Sequence, residues 1–155
     1  MSQNLQENSG LTLALNSIAL AIGSTTSQFS AALVNFAING RIYQKAAAAT
    51  QALVIEPNTG IVPTAPNTLQ TLAAGQACAF LVLLDSSGAY TVVQGAPAEA
   101  GKACPVPAVP ANRVPVGVIK VSNVTNPFIP GTTAFSAAGV TTTYINVLSH
   151  PGAAV

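Results

Sequence analysis

Apolar and polar positions along this chain alternate in short runs of strand length, punctuated by glycine and proline. Val34-Asn-Phe-Ala-Ile38 alternates, Asn39-Gly40 interrupts, and Arg41-Ile-Tyr-Gln-Lys45 resumes. Asn-Gly between two such runs predicts a β-hairpin, because both turn residues must tolerate positive φ. Ala46 to Thr50 is alanine-rich and reads as a helical turn, and Leu53-Val-Ile55 as a short strand stopped by Glu56-Pro57. Ala77-Cys-Ala-Phe-Leu-Val-Leu-Leu84 is an unbroken apolar run, which predicts a strand buried on both faces. Asp85-Ser-Ser-Gly88 then makes a turn, and Ala89-Tyr-Thr-Val-Val93 returns beside it. In Arg113–Val121 the valines 114, 116 and 118 share one face, while Pro115 and Gly117 on the other predict an edge or a bulge. Thr141–Leu148, rich in β-branched residues, is the last strand.

Long connections separate these runs. Residues 57–75 carry Asn-Thr-Gly and Pro-Thr-Ala-Pro, residues 95–110 carry four prolines, and residues 125–139 are turn-rich, with Phe128 and Phe135 as anchors. The pattern predicts an all-β fold: a single antiparallel β-sandwich or barrel of about seven short strands.

The N-terminal thirty residues read differently. Polar residues 1–10 precede the apolar segment Leu11–Ile22, and turn chemistry follows at residues 23–28. Leu11, Leu15, Ile18 and Ile22 recur at helical spacing, but Leu13 and Leu20 spoil a clean stripe, and Leu11, Leu13 and Leu15 also fit a strand. The expectation is an assembly arm over 1–30, docking through Leu11, Leu13, Leu15, Ile18, Leu20 and Ile22, ahead of a β body over 31–155. Twelve interrupted apolar residues are too few for a membrane span, and no basic residue precedes them as a signal peptide requires. The chain therefore reads as soluble and not exported.

Composition changes the picture of function more than of fold. Half of the 155 residues are apolar and only 6% are charged, against about 25% in an average soluble domain. A net charge of +1 excludes an electrostatic nucleic-acid binder, which needs clustered basic residues. The acids Glu7, Glu56, Asp85 and Glu99 are scattered, Asp85 reads as a turn cap, and His150 has no nucleophile or acid in motif spacing. No phosphate loop and no nucleophile elbow occur. Cys78 and Cys104 belong to no CxxC pair and read as free thiols, so neither a metal nor a cofactor is expected. Arg41, Tyr43 and Lys45 share a strand face, too small a basic-aromatic patch for nucleic acid and read as a solvated or interface face. No enzyme is legible in this inventory. A charge-poor, β-rich chain instead suits permanent assembly, since obligate interfaces are apolar and depleted of charge.

Five segments, in order, carry a resemblance: Leu13-Ala-Leu-Asn-Ser-Ile-Ala-Leu-Ala-Ile-Gly23, Phe36-Ala-Ile-Asn-Gly-Arg-Ile-Tyr-Gln-Lys-Ala46, Phe80-Leu-Val-Leu-Leu-Asp-Ser-Ser-Gly88, Val114-Pro-Val-Gly-Val-Ile-Lys-Val121 and Phe128-Ile-Pro-Gly-Thr-Thr-Ala-Phe-Ser-Ala-Ala-Gly-Val140. In these the chain resembles small structural virion proteins of tailed bacteriophages. The resemblance implies a non-catalytic role. Joined to the composition, it leads to the expectation of a capsid decoration or cement protein that binds the assembled shell. Its partners would be the major capsid protein or other virion subunits, and copies of itself, for instance as a trimer. Its location would be the virion, assembled in the bacterial host cytoplasm. A tail, baseplate or fibre component is the alternative, and a carbohydrate-binding β-module displaying Tyr43, Tyr90 and Tyr144 is a further one.

Overall fold

The computed structural model describes residues 11–57, 68–123 and 125–148. Among them are eleven strands and no helix: β1 (Leu13–Ala14), β2 (Ala21–Ile22), β3 (Phe29–Ala31), β4 (Val34–Ile38), β5 (Arg41–Lys45), β6 (Ala48–Gln51), β7 (Gln76–Leu84), β8 (Tyr90–Gln94), β9 (Ala98–Glu99), β10 (Val114–Asn123) and β11 (Val140–Asn146). They form three sheets, ordered β1-β4-β5, β2-β3-β6 and β11-β10-β7-β8, with β9 also pairing β7. Every strand pair is antiparallel. The all-β expectation holds.

β7 is the centre. Cys78, Phe80, Val82 and Leu84 face one core cluster, while Ala77, Ala79, Leu81 and Leu83 face another. The larger cluster is closed by the two smaller sheets, through Phe29 and Ala31 of β3 and Val34, Phe36 and Ile38 of β4. The smaller cluster is closed by the proline-rich connection, which lays Cys104, Val106 and Val109 over the sheet. The apolar run at residues 77–84 is unbroken because both of its faces are covered.

β10 lies between β7 and β11, so its proline is in a central strand. The register breaks between Pro115 and Gly117: Pro115 pairs with Leu83, and Gly117 with Val82. This is the bulge, and the edge reading is corrected. The extra residue reverses the facing of everything after it. Val114 and Val116 therefore join the larger cluster and Val118 the smaller, so these three valines do not share a face. Two further corrections concern short runs. Residues 46–50 are not helical, since β6 pairs there with β3. Leu53–Ile55 forms no ladder but a single parallel bridge, Ile55 to Val92, beside β8.

The Asn39-Gly40 hairpin is as expected, with φ of 50° and 78°, and it joins β4 to β5 in unbroken register from Ile38–Arg41 to Val34–Lys45. Phe128 and Phe135 are buried and link Phe80 to Tyr144 through successive ring contacts of 6.5, 5.8 and 6.2 Å.

Candidate functional site

The six apolar residues expected to dock on another subunit divide into two sets. Ile18 and Leu20 are buried in the larger core cluster of their own chain. Leu11, Leu15 and Ile22 are exposed, and Leu13 is half-buried. No break separates this segment from the body: β1 pairs β4, β2 pairs β3, and β3 runs across residue 30.

Polar atoms explain the conformation. Asn16 Oδ1 accepts from the Asn35 N–H at 2.6 Å, and Asn16 Nδ2 donates to the Leu33 carbonyl at 2.9 Å. The side chain thus continues the pairing of β1 with β4 as a backbone would. Ala19 at φ 50° turns the chain, and the Leu20 N–H donates to Asn146 Oδ1 at 2.8 Å. Leu20 then packs on Gly117, where an added Cβ would lie 2.2 Å from its Cδ1. The segment is extended, and its mixed periodicity reflects pairing at one end and packing at the other.

Cross-strand register places Leu13, Ala37 and Ile42 in one row on the outer face of the β1-β4-β5 sheet. Alternation carries Leu11, Leu15 and Leu33 to the same side. Leu15 and Leu33 are 44% and 43% exposed, and Ile42 reaches 75%. Between them Gln44 Nε2 donates to Asn35 Oδ1 at 2.9 Å. The face is apolar, with an amide pair and no charged side chain in its rows. The opposite side of β5 carries the basic-aromatic trio. Tyr43 stacks on Phe36 at 5.5 Å, Arg41 lies 6.0 Å from the Tyr43 ring centre, and Lys45 Nζ lies 5.6 Å from that of Tyr90.

Three ionisable groups, Glu56, Arg113 and Asp85, make structural contacts. Glu56 is fully buried, where its carboxylate accepts from Arg113 Nε at 2.6 Å, Arg113 Nη2 at 3.0 Å and Thr91 Oγ1 at 2.7 Å. The hydrogen bonds Arg113 makes to Glu56, foremost, raise its pKa further. The cluster ties the segment after β6 to β8 and to the residue before β10. The pair joins residues 57 apart, and neither lies in a recognisable motif, so linear reasoning missed it. Asp85 Oδ1 accepts from the Ser87 N–H, the Ser87 hydroxyl and the Ala89 N–H at 2.8, 2.6 and 2.9 Å, the turn cap expected of it. Burial alone would raise the Asp85 pKa; those hydrogen bonds and the Arg113 charge outweigh it and hold the pKa below the ordinary value.

Cys78 and Cys104 are free and buried. Burial pushes the Cys78 thiol up to about 12 despite donation to the Gly95 carbonyl at 3.1 Å, and also raises Cys104, partly offset by Lys120. Neither thiol forms a thiolate readily. Among the described residues no three His, Cys, Asp or Glu side chains gather as metal ligands. Glu7 and His150 lie outside the described residues. No described helix is long and apolar enough to cross a membrane.

An open groove of about 700 Å³ lies over β10 and β11, floored by Lys120, Ser122, Thr141, Thr143 and Ile145 and walled by Ala100 and Gly101. Its lining carries one lysine and three hydroxyls, groups that can hydrogen-bond a polar ligand. The tyrosines are engaged in packing: Tyr90 is buried against Phe29, Tyr144 packs on Phe135, and Tyr43 lies on Phe36. No family model, curated protein or solved structure matches this chain.

Proposed function

We propose that this chain is a structural virion protein, a decoration or cement subunit that binds an assembled capsid shell and holds neighbouring capsomers together. The observation that carries this reading is the outer face of the β1-β4-β5 sheet, where large apolar side chains stand exposed on a chain with only 6% charge. Such a surface favours association and suits permanent interfaces, which are apolar and charge-poor. Many copies binding only the assembled state stabilise that state by linkage, without any catalytic group. The resemblance of five segments, in their order, to small tailed-phage virion proteins supports the same reading, and so does the structural employment of Glu56, Arg113 and Asp85. A tail, baseplate or fibre subunit uses the same physics at lower copy number. The packed tyrosines favour neither, and they weigh against a sugar-binding face.

Immunogold labelling of purified particles with antibody against this chain tests the proposal. Even labelling over heads is the expected result. Label confined to tails transfers the chain to the tail reading. Absence of the chain from particles, checked on denatured virions by immunoblot, overturns both.

A further inference from the structure

We propose that two copies of this chain pair edge to edge through β5, antiparallel, with the two-fold axis at Ile42. The proposal goes beyond the virion reading and does not depend on it.

β5 ends its sheet, and among the described residues no strand pairs with its second edge. The Ile38–Arg41 pair closes a two-residue hairpin loop, and such a closing pair exchanges backbone hydrogen bonds. By antiparallel alternation Arg41, Tyr43 and Lys45 turn their N–H and C=O groups toward β4, while Ile42 and Gln44 turn theirs outward. The open edge thus presents a donor and an acceptor at Ile42, beside a side chain that is 75% exposed.

An open edge invites another strand, and charged residues are the usual defence. Here the charges of β5 are on the core-side face, over the rings of Tyr43 and Tyr90, and the middle of the outer face is an isoleucine. The placing of Ile42 and of the charges selects the register instead. A two-fold at Tyr43 would set Arg41 against the second copy's Lys45, a like-charge pair. A two-fold at Gln44 would leave Ile42 facing only Ala46. A two-fold at Ile42 makes two reciprocal backbone hydrogen bonds there and sets each Arg41 against the second copy's Tyr43. That ring already has Phe36 stacked on it and the Arg41 of its own chain 6.0 Å from its centre, so the second guanidinium gains no free π-face, and the register is selected by the isoleucine pair and its hydrogen bonds. On the outer side the row Leu13, Ala37, Ile42 continues into its own image, giving one apolar row across six strands. The occupant is a second copy because this edge is complementary to itself in that register.

Sedimentation of the full chain across a concentration series tests the pairing. A dimer is expected whose fraction rises with concentration and which is lost in Ile42→Lys, with an unchanged circular dichroism spectrum for that exposed substitution. Ile42→Cys reports register directly. Cα atoms across a hydrogen-bonded pair are about 5.5 Å apart, within disulfide reach, so mild oxidation yields a covalent dimer. Gln44→Cys does not, because four residues of offset separate its two copies by about 13 Å. A chain that stays monomeric up to about 1 mM overturns the proposal. So does a trimer, a dimer that survives Ile42→Lys, or cross-linking through residue 44 in place of 42. Particle labelling reports on the virion reading separately.

Discussion

Single residues here act through the atoms that approach them most closely. A Cβ on Gly95 would lie 2.4 Å from the Pro105 carbonyl oxygen and 3.2 Å from that of Ala79. Both contacts are backbone, so Gly95→Ala must push the proline-rich connection off the sheet. Overpacking of this kind costs about 1–3 kcal/mol, to be read as a lowered urea midpoint; an unchanged midpoint would show that the connection yields freely. Glu56→Gln keeps the shape of the buried cluster but takes from Arg113 the carboxylate it is paired with. Breaking a buried pair costs about 3–5 kcal/mol, and replacing Glu56 and Arg113 together by Leu and Met is expected to recover most of it. Asp85 gives a pH dependence of definite sign. Its folded pKa lies below the ordinary value, so its contribution is complete above the unfolded pKa of about 3.9 and is lost as pH falls through the folded one. Asp85→Asn is therefore less stable than the parent at pH 7, and the two converge as acid protonates the carboxyl. A gap that stays constant down to pH 2 would contradict the cap.

Strands show where local pattern suffices and where it fails. β4 and β5 were legible to the residue, because alternation and an Asn-Gly turn are local properties of the chain. β7 was legible because a strand covered on both faces needs apolar residues at every position. β10 was recognised as a strand, but its facing was not. Pro115 and Gly117 signalled an irregularity, and only the pairing with Leu83 and Val82 puts the bulge there and sends Val118 to the other side. β1, β2 and β9, two residues each, are too short to carry any period and exist because a longer strand lies beside them. The N-terminal segment belongs to the same scale. Ile18 is fully buried in the common core, so Ile18→Ala is expected to cost about 2–5 kcal/mol in chemical denaturation. Removal of residues 11–22 is then expected to unfold the body, not merely to detach an arm. A truncated chain with native stability would restore the arm as an independent part.

At the scale of the molecule, two apolar clusters share one central sheet, and the thiols report on both. Cys78 lies in the larger cluster and Cys104 in the smaller, each without exposed surface. In native buffer neither is expected to react with a water-soluble disulfide reagent, and in urea both are expected to react together with the global transition. Early reaction of Cys104 alone would show that the proline-rich connection opens as a unit of its own. The outer face of the β1-β4-β5 sheet remains apolar at this scale, which is where association, with a shell or with a second copy, finds its surface.

The amino-acid sequence by itself determined the class of this protein. Its residue periods, turn chemistry and want of charge lead to an all-β chain without a legible catalytic motif, since these are properties of neighbours along the backbone and of composition. Tertiary structure decided which apolar residues are spent inside and which stand outside. Ile18 and Leu20 went to the core, while Leu15 and Ile42 did not, because facing depends on the strand alongside, on a bulge in β10 and on the glycine that makes room for Leu20. The Glu56–Arg113 pair was settled the same way. A buried charge needs a counter-charge, but its partner is fixed by which segments meet in space, and in this chain those segments lie 57 residues apart.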